Sequence, residues 1–160
     1  MPVAVSPVQL RHAALDDIDT VAELFREYAA GLDIDLDFQD FESELESLPG
    51  AYAPPKGALL LAEIDGEAVG CVAVRALHAT KFCEMKRLFV RRSARGTGAG
   101  RALAEAAVAD GRRMGYAAMR LDTLSTMQAA LSLYRALGFK EIAAYYETPI
   151  SDTVFMHMDL

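Results

Sequence analysis

The chain has 160 residues, 52% of them hydrophobic and 24% charged, and is expected to form one domain over 1–160. A chain of about 150 residues buries roughly 70% of its unfolded surface around a single core, which leaves no material for a second one. Its net charge of -7 and pI near 4.9 exclude tight nonspecific binding to nucleic acid, which rests on clustered Lys and Arg, and are compatible with a cationic acceptor.

The start MPVAVSPVQLRHAAL lacks the basic region and long apolar core of a signal peptide, and the sequence has no apolar run long enough to span a bilayer. A cytoplasmic protein without a membrane partner is therefore expected. Cys71 and Cys83 sit in apolar, strand-like text and read as reduced packing residues. His12, His78 and His157 have no metal spacing, so no metal is expected.

In chain order, Val8 to Ala13 reads as a first strand. Asp16 and Asp17 open a helix whose apolar residues, Ile18, Val21, Ala22, Leu24, Phe25 and Tyr28, recur at helical spacing until Gly31. The stretch from Leu32 to Leu48 is acidic, with Asp33, Asp35, Asp37, Asp40, Glu42, Glu44 and Glu46 among apolar residues. It reads as a loop leading into a short second helix, either roofing an acceptor site or presenting a solvated face, with Pro49-Gly50 and Pro54-Pro55 as its exit.

Ala58 to Ile64 and Ala68 to Leu77 alternate as strands around Asp65-Gly66, a dipeptide suited to the positive φ angles of a tight hairpin. Phe82 to Val90 follows as a third antiparallel strand. Gly98 to Met114 is an Ala-rich helix with Arg101, Glu105 and Arg112 on one face and Leu103, Ala106 and Ala107 on the other, closed by Gly115. Ala118 to Asp122 is a strand, Thr126 to Leu137 a helix ending at Gly138-Phe139, and Lys140 to Ala144 and Thr153 to Leu160 are final strands. The order β, α, α, βββ, α, β, α, ββ predicts an α/β or α+β mixed sheet with helices on both faces.

The densest chemical signal runs from the third of those antiparallel strands into the Ala-rich helix, at Arg95-Gly96-Thr97-Gly98-Ala99-Gly100-Arg101. Alternating glycines let the backbone approach a ligand, and the free N–H groups of the helix start point at it. The pattern suits a pyrophosphate, with Arg95 and Arg101 adding charge-assisted bonds. It matches neither the Walker A spacing nor G-x-G-x-x-G.

Three stretches together, Glu84 to Val90, Arg95 to Gly100 and Leu133-Tyr134-Arg135-Ala136-Leu137-Gly138-Phe139, resemble the motifs of the GNAT acetyltransferases in their usual order, with Arg95, Gly98 and Gly100 as Arg-x-x-Gly-x-Gly. The resemblance implies a mostly antiparallel sheet splayed between its fourth and fifth strands, and acetyl-CoA as co-substrate. It also implies pantetheine pairing along Leu88, Phe89 and Val90, with the thioester between Glu84 and Tyr134. Where the family often has proline, isoleucine and asparagine, this chain has Arg92, Ala99 and Met127, so a bond made by the asparagine is absent or supplied by Ser125 or Thr126.

An alkyl ammonium of pKa about 10.4 is neutral in on the order of one molecule in a thousand at pH 7, so acetyl transfer to an amine gains from a base. Glu84 stands where many GNAT members carry that base; the alternative is a structural charge paired with Lys86 or Arg87. Strict alternation places Glu84, Lys86 and Leu88 on one face and Met85 and Arg87 on the other. Tyr134 resembles the family's proton donor to the CoA sulfur, the alternative being packing with Ala130 and Leu137. Tyr145 and Tyr146 either line the acceptor pocket or pack.

The expected reaction is acetyl transfer to a small-molecule or peptide amine, in a homodimer if the family's tendency to pair holds. A noncatalytic acyl-CoA-binding module and transfer of a longer acyl group are the alternatives.

Overall fold

The computed structural model describes residues 6–32, 35–36 and 39–160. Asp33, Ile34, Asp37 and Phe38 of the acidic stretch lie outside the described residues. The chain order is β1 (Gln9–His12), α1 (Ile18–Gly31), α2 (Phe41–Ser47), β2 (Ala58–Ile64), β3 (Glu67–Ala76), β4 (Phe82–Val90), α3 (Ala99–Arg113), β5 (Ala118–Leu124), α4 (Gln128–Leu137), β6 (Lys140–Ile142) and β7 (Thr153–Asp159). Every element lies where the sequence predicts it, with differences at the ends. β5 runs two residues beyond Asp122, α4 starts at Gln128 rather than Thr126, and β6 stops at Ile142 before the tyrosine pair. Among the described residues no helix is long and apolar enough to cross a membrane.

The strands form one seven-stranded sheet in the order β1-β2-β3-β4-β5-β7-β6. All neighbours are antiparallel except β4 and β5. The β2–β3 hairpin turns through Asp65 and Gly66, both at positive φ (52° and 79°), as a two-residue turn requires. One face packs Leu60, Val72, Val74, Met85 and Met119 against Leu103 of α3 and Leu131 of α4. The other packs Leu59, Leu61, Cys71 and Ala73 against Val21, Leu24 and Phe25 of α1 and Phe41 and Leu45 of α2.

Both cysteines are buried in these layers, and burial pushes the Cys83 thiol up to about 12. Such thiols are inert packing groups.

The acidic stretch is only partly a solvated face. Glu42 and Glu46 are exposed, whereas Glu44 binds the guanidinium of buried Arg87 through both oxygens, at 2.9 and 3.0 Å. The rings of Tyr28 and Phe41 flank that guanidinium at 5.7 and 5.1 Å. The pair pins α2 against the sheet.

Candidate active site

β4 and β5 are paired only at Phe82–Ala118, Cys83–Met119 and Glu84–Arg120. Beyond Glu84, β4 stays with β3 and β5 with β7, so the two parallel strands part and leave a cleft. The cause is local to β4. Cys71 faces Phe89 and Ala73 faces Lys86, so Arg87 and Leu88 together oppose Val72 in a β-bulge, with Arg87 at φ 61°. A bulge bends its strand and increases the local twist.

The bulge also changes which side chains share a face. Strict alternation would group Leu88 with Glu84 and Lys86; instead Arg87 joins them on the α1–α2 side, against Glu44, while Leu88 packs with Met85 on the α3 side. Phe89 and Val90 then resume alternation, Phe89 edge-on to Tyr28 at 6.4 Å.

At the same end of β4 the chain enters the glycine loop. Gly96 and Gly98 take φ of 82° and 85°, and a Cβ built on either would meet no atom within 4 Å, so the room beside the backbone is open. α3 begins at Ala99, and the N–H groups of its first turn have no helical carbonyl to bond. Ala99 is buried at 1% exposure and anchors the turn, while Gly100 lies over Val90. The Thr97 hydroxyl donates to the Ala94 carbonyl at 2.5 Å and so tightens the loop through its side chain. Arg95 is exposed, and Arg101, also exposed, pairs with Glu105 at 2.8 Å.

The cleft is closed by α4. Its C-terminus is a Schellman turn: Gly138 at φ 110° lets Phe139 N–H reach the Tyr134 carbonyl at 3.0 Å, and the Phe139 ring packs edge-on against Tyr134 at 5.8 Å. That turn fixes Tyr134, which borders the cleft with Met85, Leu88, Asp122, Thr123 and Met127. Burial, with the charges of Tyr28 and Asp122, holds the Tyr134 phenol above its ordinary range, so it stays protonated. Met127 begins α4 without a side-chain cap. The turn is held by Met127 N–H to the Leu124 carbonyl (2.9 Å) and by the Gln128 amide to the Ser125 carbonyl (2.7 Å).

At the point where the strands part, Glu84 is 1% exposed. Its Oε1 accepts from Arg75 at 2.9 Å and its Oε2 from the Tyr145 hydroxyl at 2.5 Å. Across the cleft Asp122 lies beside Tyr146, and burial raises its carboxyl above the ordinary range against the opposing pull of Lys86. Glu84 and Lys86 also border a cavity of about 160 Å³ that α2 and the Tyr146 loop roof. A second of about 270 Å³ shares Gln39, Glu44 and Arg75 with it.

The structure thus sets Leu88 and Tyr134 on one cleft, Glu84 at the point where β4 and β5 part, and the glycine loop beyond the Val90 end of β4. Sequence reasoning passed over Arg75, Lys86 and Asp122. Lys86 was legible as a face-mate of Glu84, and Asp122 as the carboxylate of β5. A larger cavity, about 750 Å³, borders Leu15, Pro54 and Met114 at the far end of α3, roughly 20 Å from the glycine loop at 1.5 Å per helical residue. His12 there binds Asp110 at 2.7 Å, and His157 bridges Arg120 and Asp159.

Residues 18–139 match the model of the Acetyltransferase (GNAT) family. The chain belongs to the GNAT family. The matched span runs from the first residue of α1 to Phe139 and so contains the splayed strands, the glycine loop and Tyr134. This GNAT chain is 37% identical to an uncharacterized N-acetyltransferase of Schizosaccharomyces pombe over 99% of its own length and 95% of the relative's. In fold it resembles a GNAT acetyltransferase of Staphylococcus aureus, with a TM-score of 0.76, 20% identity and coverage of 95% and 98% of the two chains. It also resembles a putative acetyltransferase of Salmonella typhimurium solved with acetyl-CoA, with a TM-score of 0.70, 21% identity and coverage of 95% and 93%.

Proposed function

We propose that this GNAT protein transfers the acetyl group of acetyl-CoA to an amine by direct attack. The observation that carries the reading is the meeting, at one end of β4, of an open glycine loop at a helix start and a cleft between parted parallel strands. The acetyl-CoA complex of the Salmonella relative supports the choice of co-substrate.

The residues fit that ligand in three places. The first-turn N–H groups of Gly100 and Arg101, with Arg95, suit the pyrophosphate, while the Ala99 N–H donates to the Thr97 hydroxyl oxygen at 3.4 Å. The β4 edge from Met85 to Val90, unpaired toward β5, offers backbone groups to the pantetheine amides. The cleft between Leu88 and Tyr134 takes the thioester.

Acetyl-CoA supplies the activated acyl carbon. Glu84 takes the amine proton, directly or through a water, since each of its oxygens accepts one hydrogen bond and keeps a second lone pair. The amine nitrogen bonds to the acyl carbon, a backbone N–H near Leu88 stabilises the oxyanion, and Tyr134 gives its proton to the departing sulfur. Amide and free CoA thiol result. A second reading has Asp122 as the base, because burial raises its affinity for a proton, against the pull of Lys86 and the Tyr146 hydrogen bond.

Calorimetry with acetyl-CoA tests the reading. The wild-type protein is expected to bind, and folded Gly98→Asp to lose binding, because the carboxylate enters the space left open for phosphate. Equal affinity in the two proteins would remove the glycine loop from the site.

A further inference from the structure

The acceptor side of the cleft holds several cations, and most are matched. Arg75 binds Glu84 at 2.9 Å and Arg87 binds Glu44 at 2.9 Å. Arg120 lies over the rings of Phe82 and Tyr145, at 4.6 and 5.3 Å, and donates to His157.

Lys86 differs. It is 9% exposed, and among the described residues its Nζ has one hydrogen-bond acceptor, the neutral amide oxygen of Gln39 at 3.3 Å. The nearest carboxylate oxygen, Oε1 of Glu84, is 3.9 Å away and is the oxygen Arg75 already binds. An ammonium has three donors and in a buried place needs an anion or several acceptors. Burial pulls the Lys86 ammonium below its ordinary range, with Glu84 pulling the other way.

Lys86 also stands at a junction. It borders both the cleft that ends at Tyr134 and the 160 Å³ cavity beside Glu84, Tyr146 and Glu147. Next to that cavity, Tyr52 is 2% exposed and its hydroxyl has no hydrogen-bond partner among the described residues. Tyr52 and Arg75 both border the adjoining 270 Å³ space. An incompletely satisfied cation thus borders one of these half-open spaces and buried Tyr52 the other.

We propose that Lys86 receives a carboxylate of the acceptor, so that the acceptor is a small amino acid, an amine carrying its own acid group. This rests on the acetyl-transfer reading and narrows it. In an α-amino acid one carbon separates the amine from the carboxylate carbon, so a carboxylate on Nζ brings the amine beside Glu84, whose Oε1 is 3.9 Å from Nζ. The substrate charge completes the coordination of Lys86, while Arg75 and Tyr145 hold Glu84 ready for the ammonium. The cavity's modest volume suits a free amino acid better than an extended peptide.

The test compares kcat/KM for matched acceptors, namely α-amino acids, their carboxamides and their decarboxylated amines, by CoA release. Wild-type protein is expected to favour the free acids by about 10- to 100-fold, the value of a hydrogen bond to a charged group. Lys86→Met is expected to bring the ratio toward one and Lys86→Arg to retain part of it. The wild-type comparison needs no variant, so misfolding cannot obscure it. Equal use of acids and carboxamides by wild-type protein that binds acetyl-CoA, or an undiminished preference in folded Lys86→Met, would overturn the inference while acetyl transfer stands. Failure of wild-type protein to bind acetyl-CoA would remove both.

Discussion

Tyr145 donates its hydroxyl to Oε2 of Glu84 at 2.5 Å, tying the loop after β6 to the buried middle of β4. With Arg75 on the other oxygen, the carboxylate is clamped in one orientation at the mouth of the cleft. Tyr145→Phe leaves Oε2 of a residue only 1% exposed without a donor. The expected cost is about 1–3 kcal/mol of stability in urea unfolding. It should come with a lower kcat/KM for the amine and unchanged acetyl-CoA affinity.

Glu84→Gln separates binding from chemistry. Acetyl-CoA affinity is expected to hold, and kcat/KM to fall by about 10²- to 10⁴-fold, the usual value of a general base. The deficit should shrink as pH rises, because more amine arrives already neutral. Asp122→Asn is expected to cost much less; the reverse order of the two losses in steady-state kinetics would assign the base to Asp122.

Asp122 carries a second, independent expectation for stability. Its carboxyl is raised above the ordinary 3.8, chiefly by burial, so the folded protein holds that proton more tightly than the unfolded chain does. Folding is therefore favoured by protonation, and the stability is lost as pH rises from the unfolded value through the raised folded one. Asp122→Asn should be more stable than wild type at pH 7, with the advantage fading as pH falls through the raised folded value and gone below about pH 4, where Asp122 is neutral in both folded and unfolded chains. Urea titrations at the two pH values would show it, and an advantage independent of pH would contradict it.

Breaking the Arg87–Glu44 pair from one side is expected to be severe. Arg87 is 4% exposed and Glu44 supplies both oxygens, so Glu44→Gln leaves a buried guanidinium without its counter-charge. Losses of about 3–5 kcal/mol are typical of such half-removed pairs. Adding Arg87→Met should recover part of the loss, which chemical unfolding of the single and double variants can measure.

Much of the molecule was legible because its determinants are local. The Asp65-Gly66 hairpin, the glycine loop into α3 and the Gly138-Phe139 stop beside Tyr134 each depend on residues a few positions apart, and each formed as the residue types demand. The order of elements followed from periodicity, and the places of Glu84 and Tyr134 on a strand and a helix came with it.

Tertiary structure alone decided the rest. Alternation within β4 assigns Leu88 to the face of Glu84, but pairing with β3 inserts a bulge that exchanges Leu88 with Arg87, and a bulge is a property of two strands together. The parting of β4 from β5, the Tyr145 clamp on Glu84 61 residues away and the docking of Glu44 on Arg87 across 43 residues likewise join groups that no short window contains. The surroundings of a side chain are fixed by burial and charge from every layer packed on it. Hence the sequence by itself determined the family motifs and their order, while only the folded sheet made Lys86 a buried cation facing a cavity.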